Sequence, residues 1–495
     1  MAQFLPNVLN EQVNSLAAMN VLKRSTHPSG WMGSLLWLTF AVVSFHLAYA
    51  SIYFPAAGLL IFGYAWFLVR LADQPTVRRA FYFGLAAGFL CYAPQLFFFW
   101  RIFGPGAIAL WLVLGFWIGL FAALVCGSLR RWGKARAAWL IPVTWTGLEY
   151  FRSELYYLKF SWLNVGYALP VPLNGAGVFH AGMYGMGFFV FGIIAATANR
   201  DLIFARLKRT TLIKLIILIL FFALLETGFL RTVAGPGREV TSLSITGVQM
   251  EFPSPGVLPK ALDRALAKHP DAQIFVLSEY TLDGPVTDSL KQWCREHARY
   301  LVVGGKDPVG TNDYYNTAFV VGTNGELVFH QAKCTPIQFF RDGLPAPRQE
   351  VWNSPWGKIG ICICYDLSYT RVTDRLVAEG AQLLIVPTMD VEEWGRHEHG
   401  LHARVAPVRA AEYGIPIFRL ASSGISQAVA WNGDVRARTS FPGSLDILSA
   451  QLRLPVRGAR PADRFLAPAC TAITAGVMVV LLLLAGKENR LRVKG

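Results

Sequence analysis

The stretch KIGICICYDLSY, residues 358–369, decides how the second half of this chain folds. Isoleucine alternates with glycine or cysteine from Ile359 to Cys364, which is the two-residue period of a β-strand. Cys362 and Cys364 therefore share one face of the predicted strand, and Cys364 lies at its exit, where a side chain can face a cleft. The residues leave two interpretations of Cys364, a nucleophile or a buried structural cysteine, whereas Cys362 fits packing inside the strand.

Similar short apolar runs recur between residues 240 and 455, with helical or polar stretches between them. The runs are SLSITGVQM, IFVLSEY, YLVVGGK, TAFVVG, KIGICIC, LLIVPT and IPIFRLA. The predicted helices cover about residues 258–268, 286–298, 369–379 and 398–413. Strands that alternate with helices are typical of an α/β layered domain, and about 220 residues are enough for one buried core.

The chain as a whole is too apolar for an ordinary soluble protein. Of its 495 residues, 54% are hydrophobic and 16% are charged, and the mean hydropathy is +0.38. This composition indicates a membrane protein. Seven cysteines at irregular spacing predict neither a disulfide framework nor a zinc site. We therefore expect no metal and no cofactor.

The net charge of +15 comes from outside the α/β region. Residues 235–462 contain 23 Lys or Arg and 23 Asp or Glu, so this region is neutral. The excess of basic residues lies in the apolar part of the chain, where it reports membrane topology. The neutral charge of the α/β region therefore disfavours a nucleic-acid partner.

Eight apolar segments are candidates for helices that cross a bilayer, which takes roughly 20 residues each. They cover about residues 31–50, 54–70, 81–100, 104–127, 137–151, 173–197, 212–231 and 465–486. The loops on one side carry most of the basic residues, from Lys23 and Arg24 to Lys487 and Arg490 in the tail. By the positive-inside rule, both termini are cytoplasmic and the α/β region lies outside the cytoplasm.

These spans divide the chain into five expected regions. They are an N-terminal cytoplasmic segment (1–30), a membrane domain of about seven helices (31–231), the α/β domain (232–463), a C-terminal transmembrane helix (464–486) and a basic cytoplasmic tail (487–495). The fold class is thus a polytopic α-helical membrane domain of about eight spans with an extracytoplasmic α/β domain.

Two other polar residues lie at predicted strand ends. Glu279 ends the run IFVLSEY, and Lys333 follows the run LVFHQA. Either residue could be a solvated charge at the end of a strand. A thiol with an ordinary pKa near 8.5 is mostly protonated at neutral pH, so a nucleophilic Cys364 would need such neighbours.

Glu279, Lys333 and Cys364, in this order at strand ends, resemble the catalytic triad of the nitrilase (carbon–nitrogen hydrolase) superfamily. Eight spans with such a domain before the last one resemble the apolipoprotein N-acyltransferase family. Three further segments resemble that family: LEYFRSELYYLKFSWLNVGYAL (148–169), ICYD (363–366), and DVEEWG with HARVAPVRAAEYGIPIFRLASSGISQAV (390–429). The similarity covers most of residues 30–486.

The resemblance implies an α-β-β-α sandwich and a specific chemistry. Glu279 would be the general base, Cys364 the nucleophile that carries an acyl thioester, and Lys333 an oxyanion donor together with a backbone N–H near Tyr365. Asp366 occupies the place of the glutamate that usually follows Cys-Tyr in the family. The acyl donor would be a phospholipid, and the acceptor would be the α-amine of a diacylglyceryl-cysteine at the N-terminus of a lipoprotein.

Several more residues are candidates for substrate contact or for support of the site. The family has a second active-site glutamate after its lysine, and here Gln338 or Asp342 could take that place. Trp394 lies in a loop that could cover the site. The other candidates lie on one predicted helix and are His402, Arg404, Arg409 and Glu412.

Two alternatives remain open from the sequence. One is an amidase or nitrilase-type hydrolase tethered to the membrane, which would use the same triad with water as acceptor. The other is a catalytically inactive membrane scaffold. If the resemblance holds, the expected location is a bacterial inner membrane, with the catalytic domain on the periplasmic side and the protein a monomer.

Overall fold

The computed structural model describes residues 30–50, 54–169, 171–198, 241–443 and 445–494. The described residues up to 198 are mostly helical. They are α1 (Trp31–Tyr49), α2 (Ile61–Ala72), α3 (Val77–Gln95), α4 (Phe98–Phe103), α5 (Gly106–Tyr150), α6 (Val165–Ala168) and α7 (Val171–Ala198). Gly133 interrupts α5 and Gly182 interrupts α7, each with a positive φ, so each element consists of two helices that meet at a glycine.

Within the described chain, four helical stretches have the length and composition of a membrane span. They are Trp31–Tyr49, Gly106–Leu155, His180–Thr197 and Asp463–Lys487, and Ala56–Ala72 is a shorter apolar helix. The protein is thus a membrane protein, as its composition predicted. The predicted spans 104–127 and 137–151 are the two halves of α5. The predicted span 212–231 lies outside the described residues, and the total of eight stays a prediction.

Glycines allow α3 and α5 to pack closely. A Cβ atom at Gly88 would lie 2.6 Å from the Cα atom of Gly115, and one at Gly84 would lie 2.9 Å from the Cα atom of Gly119. Such distances are far below van der Waals contact, so larger residues would force the helices apart. Small residues at a helix crossing are a common way to bring helix backbones together in membranes.

The rest of the described chain contains two six-stranded sheets. The first has the order β12-β1-β2-β3-β4-β5, with strands β1 (Thr241–Gln249), β2 (Ile274–Leu277), β3 (Tyr300–Val309), β4 (Asp313–Val321), β5 (Leu327–Ala332) and β12 (Asp446–Leu454). The second has the order β11-β10-β9-β8-β7-β6, with strands β6 (Val351–Ser354), β7 (Gly357–Ile361), β8 (Leu383–Thr388), β9 (Ile417–Ala421), β10 (Gln427–Val429) and β11 (Val435–Arg438). In each sheet three adjacent strands are parallel, β1, β2 and β3 in the first and β7, β8 and β9 in the second.

Alternation along β2 shows how the layers pack. Phe275 and Leu277 join a buried cluster with helices α8 (Leu258–Lys268) and α9 (Asp288–His297). Ile274 and Val276 point the other way, into a cluster that includes residues of the second sheet. On the second sheet, α12 (Val405–Tyr413) contacts β9 and β10. Helices α10 (Thr370–Ala378), α11 (Arg396–Ala403) and the C-terminal α13 (Asp463–Lys494) complete the chain.

The sequence pattern predicted most of these elements but extended one strand too far. The run KIGICIC was expected to be a strand up to Cys364, whereas β7 ends at Ile361. A 3₁₀ turn, Cys364–Ser368, begins at the cysteine. The helix predicted over 398–413 is two helices, α11 and α12, that meet at Arg404. Strands β6, β10, β11 and β12 are short or half-exposed and were not predicted.

Candidate active site

Three polar side chains meet where strands of the two sheets end. Glu279 lies just after β2, Lys333 directly follows β5, and Cys364 lies just after β7. All three are buried, with exposed fractions of 2%, 1% and 3%. Lys333 Nζ donates to Glu279 Oε1 at 2.9 Å. The structure therefore brings together the three residues that the sequence singled out, in the interior of the domain.

Met389, the first residue after β8, connects the thiol to the carboxyl group of Glu279. Its backbone N–H donates to Glu279 Oε2 at 2.8 Å. Its carbonyl oxygen accepts from Cys364 Sγ at 3.8 Å. The thiol and the carboxylate thus both contact the backbone of Met389, in the loop after β8.

Cys364 has an unusual backbone conformation. Its φ angle is +53°, in the left-handed region that residues other than glycine rarely adopt. The turn aims the cysteine side chain away from the line of β7. Backbone strain of this kind is concentrated at functional sites, where the surrounding structure holds the residue in place. Cys362 is buried in the same apolar cluster but does not have a positive φ angle.

Lys333 has a second carboxylate partner, Asp342. Asp342 Oδ2 lies 2.7 Å from Lys333 Nζ, and its Oδ1 accepts from Tyr280 Oη at 2.8 Å and from Asn316 Nδ2 at 3.0 Å. Gln338 does not join this network, because its side chain donates to the carbonyl oxygen of Tyr157 at 3.2 Å. Of the two candidates for a second acid, the structure therefore places Asp342 beside the lysine.

The four groups have shifted pKa values with identifiable causes. Burial and the neighbouring Glu279 raise the pKa of the Cys364 thiol, so the resting thiol is protonated. Burial also raises the pKa of Glu279, more than Lys333 lowers it. Burial opposes ionisation of Asp342, but Lys333 outweighs it and lowers the pKa of that carboxyl. Burial alone would lower the pKa of Lys333, but Asp342 and Glu279 raise it, so the lysine is a cation.

Asp366 organises the loops around the cysteine. Its carboxyl group accepts hydrogen bonds from the backbone N–H groups of Cys334, Thr335 and Ile363 at 2.7–3.3 Å. Burial raises its pKa to about 6, although these N–H groups favour the charged form. The phenol of Tyr365 donates to the carbonyl oxygen of Lys159 at 3.0 Å, which links the turn to the membrane part.

An apolar cavity that opens to the surface has Cys364 in its wall. The helices of the membrane part and the α/β domain both contribute to its wall. The lining residues are Phe98, Phe99, Ile102, Phe103, Leu110, Val113, Leu114, Leu158, Lys159, Phe160, Trp162, Ile337, Gln338, Phe339, Phe340, Cys364, Tyr365, Trp394, Glu398 and His402. Such a wall suits a hydrocarbon chain far better than a small polar substrate.

A group of acidic and imidazole side chains lies at the same wall. His402 stacks on Trp162, with ring centroids 4.5 Å apart, and its Nδ1 lies 2.7 Å from Asp390 Oδ1. Burial lowers the pKa of His402 to about 4, although Asp390 raises it. Arg419 pairs with Asp390 Oδ2 at 2.6 Å. His402 and Trp394 thus line the same cavity as Cys364.

The same group is the one set of metal-ligand type found among the described residues. The ligand atoms of Asp390, Glu398 and His402 lie within 4.8 Å of one another. Both oxygens of Asp390 are engaged, one by His402 and one by Arg419. The Arg419 guanidinium therefore already supplies the positive charge that a metal ion would bring to Asp390.

The other three candidates on this segment connect the α/β domain to the membrane part and do not line the cavity. Arg404 donates to the carbonyl oxygens of Tyr167 and Tyr49 at 3.0 and 3.2 Å. Glu412 accepts from the backbone N–H of Met183 at 2.7 Å and pairs with Arg409 at 2.5 Å. Their positions are those of residues that fix the junction between the two parts.

The sequence did not point to three further residues of this site. Tyr280 and Asn316 bind Asp342, and Asn316 also donates to Glu279 Oε1 at 2.6 Å. Glu398 is buried at the cavity wall. Tyr280 directly follows Glu279, which was a usable signal, but nothing in the sequence near Asn316 or Glu398 distinguishes them from ordinary polar residues.

Comparison with known proteins indicates the class of enzyme. The family model "Carbon-nitrogen hydrolase" matches residues 243–461. The site and this match identify an enzyme of the carbon–nitrogen hydrolase superfamily, built into a membrane protein. A second model, "Apolipoprotein N-acyltransferase N-terminal domain", matches residues 32–197. The chain is therefore similar to the apolipoprotein N-acyltransferase family, whose N-terminal domain model matches its helical part.

Two relatives are similar along most of their length. An apolipoprotein N-acyltransferase of Geobacter metallireducens is 23% identical over an alignment of 463 residues that covers 81% of this chain and 87% of that protein. One of Shewanella oneidensis is 24% identical over an alignment of 426 residues that covers 73% of this chain and 79% of that protein. Among solved structures, Saccharomyces cerevisiae Nit3, a member of the nitrilase superfamily, matches with a TM-score of 0.37 and 20% identity over 43% of this chain and 91% of Nit3.

Proposed function

We propose that this protein moves a fatty acyl chain from a phospholipid to the α-amine of a diacylglyceryl-cysteine at the N-terminus of a lipoprotein. The observation that carries the proposal is the position of Cys364. It lies in the wall of an apolar cavity that membrane helices share, while Lys333 and Glu279 lie behind it as a hydrogen-bonded ion pair. The family relationship supports the same reaction.

In the first half-reaction, Glu279 takes the proton of the Cys364 thiol and the sulfur attacks an ester carbonyl carbon of the phospholipid. The oxyanion that forms is stabilised by the Lys333 ammonium and by a backbone N–H near Tyr365. One such donor typically contributes about 10²–10³ in rate. The carbon–oxygen bond breaks, Glu279 returns the proton to the leaving oxygen, and lysophospholipid departs from a Cys364 thioester.

In the second half-reaction, the α-amine of the acceptor attacks the thioester carbon. The carbon–nitrogen bond forms, the carbon–sulfur bond breaks, and a proton from the nitrogen passes through Glu279 to the sulfur. The two half-reactions use the same cysteine in turn, so the kinetics are ping-pong.

The membrane setting gives this chemistry a physical advantage. Both substrates carry acyl chains, and a soluble enzyme would have to extract them against about 0.8 kcal/mol per buried methylene. The proposed architecture is eight spans with a four-layer α-β-β-α domain, residues 232–463, on the periplasmic side of a bacterial inner membrane. In that arrangement the thiol meets its substrates at the surface where they reside.

The two alternatives are less well supported. A hydrolase would need water at the thioester, whereas the wall of the cavity is mostly aromatic and aliphatic. An inactive scaffold would have no need for a buried Lys333 with two carboxylate partners, because burying charges is costly unless they are paired and serve a purpose.

The test is transfer itself. The purified protein is reconstituted in vesicles with phospholipid labelled in its acyl chains and a diacylglyceryl-cysteine peptide. We expect label on the α-nitrogen of the peptide with the native protein and none with Glu279→Gln or Lys333→Met. Release of free labelled fatty acid, with no label on the peptide, would instead support the hydrolase.

A further inference from the structure

We propose that Glu398 is the residue that receives the α-amino group of the acceptor, next to the thioester. This inference rests on the proposed function, because it concerns the second half-reaction of the same site. Glu398 lies on α11, one turn before His402. It lines the cavity together with Cys364 and His402.

Glu398 is a buried acid with no hydrogen-bond partner. Its exposed fraction is 1%, and among the described residues neither carboxyl oxygen has a donor. The nearest nitrogens are His399 Nε2 at 3.6 Å and His402 Nδ1 at 3.9 Å, and these donate instead to Val391 and interact with Asp390. A buried carboxyl group without a hydrogen-bond donor costs about 1–3 kcal/mol or more of stability. Such a group therefore indicates that a ligand supplies the donor.

The group that would satisfy Glu398 is a primary amine. Both oxygens are acceptors and need N–H or O–H donors, and the described cavity wall has no other acidic side chain. Glu279 cannot take this role, because its carboxyl group is already bound by Lys333, Asn316 and the N–H of Met389. An α-ammonium would provide the donors and the opposite charge at the wall that holds the thiol.

The proposed step can be written with its protons. The α-ammonium of the acceptor gives one proton to the Glu398 carboxylate and becomes a neutral amine. Its nitrogen attacks the thioester carbon, the carbon–nitrogen bond forms and the carbon–sulfur bond breaks. A second proton passes through Glu279 to the sulfur of Cys364, and the third stays on the amide nitrogen. Glu398 returns its proton to water when the product leaves.

The electrostatics around Glu398 agree with this role. Burial and the negative charge of Asp390 raise the pKa of the Glu398 carboxyl well above its ordinary value, and Arg419 lowers it. A carboxylate whose pKa is raised accepts a proton from an α-ammonium, whose ordinary pKa is about 8, at a lower free-energy cost than an ordinary glutamate would.

A primary ammonium also occurs in the headgroup of phosphatidylethanolamine, so the experiment separates the two sources. The acyl-enzyme is formed with labelled phosphatidylglycerol, which has no amine, and in parallel with labelled phosphatidylethanolamine. The loaded protein then receives the diacylglyceryl-cysteine peptide. A second sample receives hydroxylamine, a small nucleophile that needs no binding site.

For Glu398→Gln we expect acyl-enzyme formation from both lipids at the native rate and hydroxylamine release at the native rate. Transfer to the peptide should fall by about 10²-fold, the usual contribution of a positioned proton acceptor. Glu393→Gln is the matched control, because Glu393 is an exposed acid in the same segment. It should behave like the native protein in all three reactions.

Three results would overturn the inference. Native transfer by Glu398→Gln would show that the carboxyl group does not receive the amine. Equal losses in acylation and transfer would show a structural role, and a loss confined to acylation by phosphatidylethanolamine would assign Glu398 to the donor headgroup. Failure of the native protein to form any acyl-enzyme would instead refute the proposed function.

Discussion

Asp342 Oδ2 lies 2.7 Å from the Nζ atom of Lys333. Glu279 Oε1 lies 2.9 Å from the same nitrogen, yet the pKa values of the two carboxyl groups shift in opposite directions. The pKa of Asp342 is lowered and the pKa of Glu279 is raised. When their surroundings push the pKa values of two acids apart in this way, the acid with the lower pKa can carry a fixed negative charge while the other exchanges protons. We therefore propose that Asp342 is the counter-ion of Lys333 and that Glu279 is the base.

Replacement of Asp342 by Asn should move the acidic limb of the pH–rate profile for acyl-enzyme formation to lower pH. The reaction needs ionised Glu279, so its rate falls as the pH drops through the raised pKa of Glu279. The negative charge of Asp342 contributes to the raised pKa of Glu279, so removal of that charge lowers the pKa of Glu279. The plateau rate should also fall, because Lys333 loses a partner.

The control for this experiment is Asp283→Asn. Asp283 is an exposed acid that pairs with Lys306, and its replacement should leave the profile unchanged. An acidic limb that stays in place or moves to higher pH in Asp342→Asn would contradict the assignment of Glu279 as the base.

Replacement of Leu114 by Trp should shorten the acyl chain that the protein can accept. Leu114 lies on α5, is 4% exposed and lines the cavity. A larger side chain that displaces about four methylenes removes about 3 kcal/mol of burial, or about 10²-fold in the rate of acylation by a long-chain phospholipid. A short-chain ester should still acylate the protein at close to the native rate.

Leu112→Trp is the matched control. Leu112 lies on the same helix but is 44% exposed, outside the cavity. It should accept long chains normally. The assignment of the cavity to the acyl chain is wrong if Leu114→Trp affects long and short donors equally or neither.

Replacement of Arg409 by Leu should destabilise the protein. Arg409 is fully buried and donates to Glu412 and to the carbonyl oxygens of Leu367 and Ser368. Its loss leaves the buried Glu412 carboxylate with one guanidinium partner, Arg464 at 3.4 Å, at a cost of about 3–5 kcal/mol. The measurement is the midpoint of thermal unfolding in detergent.

A suitable comparison is Arg375→Leu on α10. Arg375 pairs with Glu379 at the surface, and its side chain is 64% exposed, so the change should cost about 0–1 kcal/mol. Equal losses of stability in the two variants would show that the buried contacts of Arg409 do not fix the junction.

The sequence was sufficient to predict a membrane protein with a sheet-rich C-terminal domain, and both are confirmed. Apolar runs of the right length and the period-two alternation around Ile359 are local signals that survive in the fold. Glu279, Lys333 and Cys364 could be singled out because each interrupts or ends an apolar run, where a charged or reactive residue is unexpected.

What the sequence could not predict depends on contacts between distant segments. The left-handed backbone of Cys364, which ends β7 early, is imposed by surrounding loops and leaves no mark in the alternation of residues. The choice of Asp342 over Gln338 depends on a loop conformation that brings residue 342 back to Lys333. The isolation of Glu398 emerges only when α11, the β8 loop and the membrane helices are assembled.

The most direct test of the central claim is the identity of the acylated residue. The native protein in vesicles of labelled phospholipid, without acceptor, should acquire an acyl group that mass spectrometry locates on Cys364 and that hydroxylamine removes. Cys362→Ala, which changes a buried neighbour, should retain the acyl group, and Cys364→Ala should lose it. An acyl group that persists in Cys364→Ala would contradict the account.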